Sequence, residues 1–334
     1  MVKWIRGGRM KINNTMNIRK MNIELVREVL LKNNGLTKNE ICQATQLSLA
    51  SCSNILKILM ESGEIKKTSI CESTGGRRAK RFFINEQYEL VLIILVSVIE
   101  TGFEMDYRVI DASGKNVHRY HIKDESCSDT KIIDQVQILK ESYPNIRAIG
   151  ISVTGFVENG GIYNASYYSF NMTHIDQKLE ERFHIPVVIE NDVNLAVLGF
   201  ASHIGEEASL GVALIDRGFG VGLYINEQLI RGYSHFAGEI LYCVEDGMKK
   251  IYALNKEQQL TLVAHRCIDI VALLNPYIIG IIGFSQEEIR KIEIEVEKYI
   301  PKNHLPKLCF VENKEEEILP GIISLTLSLL KNIE

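Results

Sequence analysis

The sequence predicts an α/β protein in two parts. A small helical module closed by a β-hairpin precedes a larger body of alternating strands and helices, which fits two lobes with a cleft between them. Three observations carry that prediction. Charge is divided along the chain: residues 1–85 hold 16 Lys and Arg against 6 Asp and Glu, a net of +10, whereas residues 86–334 hold 22 against 36, a net of −14. Helical periodicity runs through residues 17–62 and then gives way to two short strand patterns around a glycine pair. From Tyr88 onward, apolar strand-like runs alternate with amphipathic helical stretches.

Composition sets the class. With 334 residues, 46% hydrophobic and 24% charged, the chain reads as a globular protein of two or three domains. No apolar run reaches the ~18 residues needed to span a bilayer; the longest, Leu90–Ile99, reads as a buried strand. The start, MVKWIRGGRMK, is basic with no apolar segment behind it, unlike a secretory signal. Seven cysteines without close pairing point to reduced thiols and a cytoplasmic setting. Membrane, secreted and disordered classes are thereby excluded. A basic quarter joined to an acidic remainder suits a polyanion-binding module on a larger body, although a merely solvated basic face gives the same totals.

The boundaries expected are a basic extension over 1–15, the helical module over 16–85 and the body over 86–334. In the module, Asn22–Asn33 places Ile23, Val26, Val29 and Leu30 at helical spacing and stops at Asn34-Gly35. Thr37 caps a short second helix, with Glu40 completing a capping box and Ile41 and Ala44 on its apolar face. Ser48 caps a third helix that buries Ile55, Leu56 and Leu59. This is the order of a helix-turn-helix, whose third helix enters the major groove of double-stranded DNA. Ser51, Ser53 and Asn54 would reach base edges and Lys57 a phosphate. Strands at Ile65–Ser69 and Lys80–Ile84 then form a wing. At its tip, Gly75 and Gly76 let backbone approach DNA, and Arg77 and Arg78 suit a narrow minor groove. A small helical domain that uses the same geometry only for packing is the alternative.

In the body, strands are expected at Leu90–Ile99, Asp106–Ile110, Ile146–Val153 and Val187–Ile189, with helices at Asp134–Glu141 and Ile175–Phe183. Val212–Ile215 and Val221–Ile225 flank a glycine turn. A helix (Gln258–Leu274), an apolar segment (Ile278–Ile282) and a last helix (Leu319–Lys331) complete the pattern.

A helix-turn-helix followed by STGGRR and a strand-rich start resembles the regulators of the ROK family (repressors, open reading frames, sugar kinases). The resemblance continues through the body. AIGISVTGFVENGGI (Ala148–Ile162), IPVVIENDVNLAVLGF (Ile185–Phe200), GFGVG (Gly218–Gly222), the AGE of Ala237–Glu239 and NPYIIGIIG (Asn275–Gly283) are similar to that family's motifs. It implies an actin-like ATPase fold with a sugar between the lobes. In ROK kinases the Asp of the END motif is the general base, and its counterpart here is Asp192; Asn191 and Glu239 would add polar contacts. The alternative is that Asn191 and Asp192 only cap the helix Asn194–Phe200.

Departures from the family pattern accompany the matches. The phosphate-holding D-x-G-x-T becomes SVIET, with Ser97 for the Asp and Ile99 and Glu100 for the glycines. Asp216-Arg217 replaces Gly-Thr before the glycine turn, and the late glycine pair is Gly283-Phe284. The cysteines of the family's zinc cluster are missing, and Tyr242 stands in place of its His; Cys243 and Cys267 read as single packing thiols. Tyr167 replaces the sugar-binding Asn and Thr154 an earlier Pro. No catalytic activity, metal or cofactor is therefore expected. Ligand contacts are expected from Asn191, Asp192, Glu239, Tyr167 and Tyr242. The reading that results is a DNA-binding transcriptional regulator, homodimeric or tetrameric, that represses carbohydrate genes and senses a sugar or sugar derivative. A sugar kinase with a DNA-binding appendage and a regulator whose body only dimerises are the alternatives; the residues do not separate repression from activation.

Overall fold

In this computed structural model, which describes residues 14–33, 35–69, 80–158, 161–163, 174–216, 220–243 and 253–330, the chain divides into two units, Met1–Glu89 and Leu90–Glu334. The first contains α1 (Asn14–Leu31), β1 (Leu36–Thr37), α2 (Lys38–Thr45), α3 (Leu49–Glu61), β2 (Ile65–Ser69) and β3 (Lys80–Ile84). Helix α1 begins eight residues before the expected Asn22 and takes in Asn14 and Thr15 of the expected extension. The two caps form as the sequence predicts. Thr37 Oγ1 accepts from Glu40 N–H at 3.3 Å while Glu40 Oε2 accepts from Thr37 N–H at 2.7 Å, and Ser48 Oγ accepts from Ser51 N–H at 3.1 Å. The backbone N–H of Thr37 is the main reason that Glu40 stays below its usual carboxylate range.

Val26, Leu30, Ile41, Cys52, Ile55, Leu56, Leu59, Ile65 and Phe82 form the core of this unit. Strand β1, too short to show a periodicity, pairs Leu36 with Phe82 and Thr37 with Arg81, giving an antiparallel sheet in the order β1-β3-β2. Gly35, at φ +84°, makes this possible: a Cβ there would lie 2.2 Å from the Phe83 ring. Arg81 Nη1 then donates to Gly35 O at 2.9 Å. The wing tip, with Gly75, Gly76, Arg77 and Arg78, lies outside the described residues.

The second unit holds two five-stranded sheets. The first is built from β4 (Leu90–Ile99), β5 (Gly102–Asp111), β6 (Asn116–Asp124), β7 (Ile146–Val153) and β10 (Val187–Asn191), in the order β10-β7-β4-β5-β6. The second contains β11 (Val212–Ile215), β12 (Val221–Ile225), β13 (Gln228–Leu229), β14 (Ile278–Ile282) and β15 (Lys307–Val311), in the order β13-β12-β11-β14-β15. Each sheet is the same device: a central first strand, an antiparallel meander on one side and two parallel strands on the other. A small hairpin, β8 (Phe156–Glu158) with β9 (Gly161–Tyr163), extends from the first sheet.

The helices are α4 (Asp129–Ser142), α5 (Ile175–Phe183), α6 (Asp192–Ile204), α7 (Lys256–Leu274), α8 (Gln286–Val296) and α9 (Lys314–Leu330). Helices α4 and α5 cover the outer face of the first sheet, and α7 and α8 that of the second. Between the sheets lie α6 and α9, packed on Val91, Ile93 and Ala148 of one sheet and Val212, Leu214 and Ile278 of the other. Two glycines let these helices touch backbone to backbone: a Cβ on Gly199 would sit 1.9 Å from Glu317 O, and one on Gly321 2.0 Å from Leu195 O.

Helix α9 starts at Lys314, five residues before the expected Leu319, and Pro320 lies inside it. Its first turn, Lys-Glu-Glu-Glu, has no apolar periodicity to announce it. The polar edge strand β6, helix α8 and strand β15 likewise had no counterpart in the sequence pattern. The stretch SVIET is the end of β4 and the β4–β5 turn, with Ile99 paired to Gly102. Among the described residues, no helix is long and apolar enough to cross a membrane.

Candidate functional site

In open α/β sheets, ligands bind outside the carboxyl ends of the strands, where the strand order reverses. Four chain segments bring polar side chains to such a place here: Thr154 follows β7, Asp192 follows β10, Asp216 follows β11 and Lys314 follows β15. They form one cluster. Lys314 Nζ donates to Asp192 Oδ2 at 2.8 Å and to Asp216 Oδ2 at 2.6 Å, and Thr154 Oγ1 donates to Asp192 Oδ2 at 3.4 Å. The side chains are largely shielded, at 10% exposure for Asp192, 15% for Asp216 and 24% for Lys314. Burial works against the charge of Lys314, but the two carboxylates outweigh it and hold the ammonium above the usual lysine range.

Asn191 ends β10 and caps α6. Its Oδ1 accepts from Val193 N–H at 2.8 Å and Asn194 N–H at 3.2 Å, and its Nδ2 donates to Gly155 O at 2.6 Å. The capping alternative thus describes Asn191, whose carboxamide is engaged on both sides, while Asp192 belongs to the ionic cluster. Behind them Glu190 is buried; its Oε1 accepts from Asn191 N–H at 3.0 Å and Asn194 Nδ2 at 2.9 Å, and its Oε2 from Arg231 Nε at 2.6 Å.

Glu239 follows the AGE glycine and is within electrostatic reach of Asp192. Burial, and then the charge of Asp192, push its carboxyl above the usual range. The preceding glycine is structural: Gly238 stands at φ +94°, and a Cβ there would lie 1.9 Å from Val221 O. Gly222 is similarly tight against Val193 O, at 2.6 Å. These two glycines of the resemblance motifs therefore have packing reasons. Tyr242 lies on the 3-10 helix Ile240–Cys243, is 57% exposed and meets the Phe236 ring at a tilt, centroids 5.0 Å apart. Tyr167 lies outside the described residues. A cavity of about 380 Å³ opens on the Glu190 side, lined by Val157, Asp176, Glu190, Arg231, Tyr233 and His235.

No periodicity points to Lys314 or Arg231. Asp216 is visible only as a departure from the family pattern, although Lys314 and Asp216 pair in one cluster and Arg231 holds Glu190 in the other. Chemically, the site offers carboxylate acceptors at Asp192 and Glu239, set among ion pairs. Asp192 Oδ1 has no hydrogen bond among the described residues.

In the first unit, Asn54 and Lys57 are exposed along α3. Lys57 lies 3.7 Å from Glu61, a surface pair of small energy. Ser53 Oγ donates to Leu49 O at 2.7 Å and accepts from Lys38 Nζ at 3.2 Å. Ser51 Oγ lies 2.9 Å from Ser48 Oγ. The two serines are therefore already bonded within the unit, whereas the ends of Asn54 and Lys57 face solvent. Lys66 and Lys67 on β2 and Lys80 on β3 add exposed positive charge.

Comparison with known proteins gives three findings. Residues 98–247 match the model of the ROK family. The xylose repressor of Staphylococcus xylosus is 28% identical over 228 residues, which are 66% of this chain and 59% of that protein; the chain thus spans less than two thirds of the length of this curated relative. Among solved structures, a ROK family transcriptional regulator, a homologue of the E. coli MLC protein, superposes with a TM-score of 0.67 at 15% identity, over 94% of this chain and 96% of that one. The ROK hexokinase from Thermus thermophilus does so with a TM-score of 0.56 at 15% identity, over 73% and 99%. At these identities the two structures establish the fold, an actin-like α/β body of the ROK type, and leave activity to be argued from the site.

Proposed function

The chain carries a ROK family domain over residues 98–247, and from that premise we propose that it is a sugar-responsive, DNA-binding transcriptional repressor. The observation that carries this reading is the joining of residues 1–85, net +10 and with Asn54, Lys57, Lys66, Lys67 and Lys80 exposed, to an acidic ROK body. Residues 16–85 act as a winged helix-turn-helix: α3 reads the major groove, and Arg77 and Arg78 on the wing reach the minor groove. The body, residues 86–334, holds the effector between its lobes at Asp192 and Glu239, with Tyr167 and Tyr242 as further ligand contacts. The relation to a xylose repressor supports a sugar or sugar derivative as effector and carbohydrate genes as targets.

A homodimer or tetramer would present two helix-turn-helix units at a fixed spacing. The effector changes DNA affinity only to the extent that it binds the two states differently. The protein works in the cytoplasm on double-stranded DNA. The reading includes no phosphoryl transfer; what supports this is Lys314 on Asp192 and the Ser97, Ile99 and Glu100 that stand where the family's phosphate loop has an aspartate and glycines.

The test is binding of the purified chain to its own promoter region as salt is raised. The expected result is an affinity that falls linearly on a log–log plot against salt and weakens or strengthens on addition of D-xylose or a related sugar. Absence of salt-dependent binding overturns the assignment. Sugar-dependent ADP release in a coupled assay would favour the kinase reading instead.

A further inference from the structure

A sugar kinase of this fold works on a nucleotide carried by a divalent cation, and the ROK resemblance raises the question of whether this chain's cleft fits one. The side chains present do not fit it. Asp192 and Asp216 come from the ends of strands in different sheets, and their Oδ2 atoms bracket a single position at 2.8 and 2.6 Å. Carboxylates placed so are the usual holders of a hard cation. The position is filled by the ammonium of Lys314, a residue of the chain itself.

Local structure does not explain that lysine. It stands in the first turn of α9, where the helix dipole disfavours a positive charge and three glutamates follow it. Its placement is accounted for by the two carboxylates, which in turn would be costly to bury without a counter-charge. A divalent cation entering the floor would meet the ammonium at a few ångströms and would have to expel it.

We propose that Lys314 is the resident cation of the cleft floor and its specificity-determining residue, keeping divalent cations and their nucleotide complexes away from Asp192 and Asp216. An effector that binds there does so without a metal, as an uncharged ligand donating a hydroxyl to the open Oδ1 of Asp192. That last step rests on the cleft being an effector site; the exclusion of cations does not.

The experiment compares the full chain with Lys314→Met in the presence of Mn²⁺, read by thermal unfolding and by the spin-resonance signal of free Mn²⁺. The wild-type midpoint is expected to stay fixed in millimolar Mn²⁺. The Lys314→Met midpoint starts lower and rises with Mn²⁺, with binding at least ~10-fold tighter than wild type because a like charge has been removed from between the carboxylates. Adding Asp216→Asn to that variant should abolish the response. If Lys314→Met folds only with metal present, Lys314→Gln, which still donates a hydrogen bond, gives the same comparison.

Equal Mn²⁺ binding by wild type and variant, or no gain in either variant, overturns the proposal. Neither sugar nor DNA enters the measurement, so its failure is separate from failure of the repressor reading. A wild-type chain that excludes Mn²⁺ but binds no DNA upholds Lys314's role and counts against that reading alone.

Discussion

Glu190 and Arg231 join the two sheets: Arg231 Nε, just beyond β13, donates to Glu190 Oε2 on β10 at 2.6 Å. Glu190 is buried and Arg231 is 31% exposed. Removing one member of a buried pair strands the other charge, at a cost of 3–5 kcal/mol for full burial. The partial exposure of Arg231 and the two further donors on Glu190 Oε1 reduce this. Arg231→Met is therefore expected to destabilise the body by about 2 kcal/mol in urea unfolding, and adding Glu190→Gln should recover part of the loss. A cost below about 0.5 kcal/mol would show that the pair is no more than a surface contact.

Asp106 predicts the acid limb of stability. Burial pushes its carboxyl up, but Arg119 at 2.8–3.1 Å and Arg108 at 2.7–3.0 Å outweigh this and hold it below the usual range. A folded-state value below the unfolded one means stability that is present above the unfolded pKa of about 3.9 and is lost as pH falls through the folded value. Asp106→Asn should be less stable than wild type at neutral pH, with the difference shrinking below about pH 4. Parallel melting curves across that range would contradict it.

The parts of this fold that could be read from the sequence are those whose causes are local. Leu90–Ile99 is predicted to the residue because alternate side chains enter two different cores, Leu92 and Ile94 on one face and Val91 and Ile93 on the other, so the run is apolar throughout. Thr37 with Glu40, and Ser48, are legible because caps act over three residues. Lys314 is not, since its partners Asp192 and Asp216 lie 122 and 98 residues away and its own neighbours read as a solvated helix start. Arg231 and Glu190 are 41 residues apart and equally silent. Asp192 was found only through the family motif, which supplied its position and nothing about the lysine beside it.

Glu239 gives a prediction of opposite sign to Asp106. Its carboxyl is raised by burial and by Asp192, so the folded state binds its proton more tightly than the unfolded chain does. Stability from this group is present at low pH and lost as pH rises from the unfolded value, about 4.3, through the folded one. Glu239→Gln should raise the melting temperature at pH 7 while weakening any sugar-induced shift. A variant that melts lower than wild type at pH 7 would mean that the ionised carboxylate is a stabilising partner.

Gly321 reports on the contact between α6 and α9. A Cβ at this position would lie 2.0 Å from Leu195 O, a backbone atom that cannot turn aside. Although alanine is the better helix former by about 1 kcal/mol, Gly321→Ala should cost about 2 kcal/mol or more, because the helices must separate and open the core between the sheets. A neutral or stabilising substitution, read by urea unfolding, would show that the two helices slide freely.

Asn54 and Lys57 sit one turn apart on α3, both exposed, and the proposed DNA contact assigns them different work. An amide can make paired hydrogen bonds to a base edge, so Asn54→Ala should cost about 1–3 kcal/mol on the promoter site and little on unrelated duplex. An ammonium on a phosphate carries no sequence information, so Lys57→Ala should weaken both duplexes alike and reduce the salt slope by about one. Both variants should melt like wild type, because neither side chain packs in the core of its unit. Equal losses on both duplexes for Asn54→Ala would place the base-reading surface elsewhere than α3.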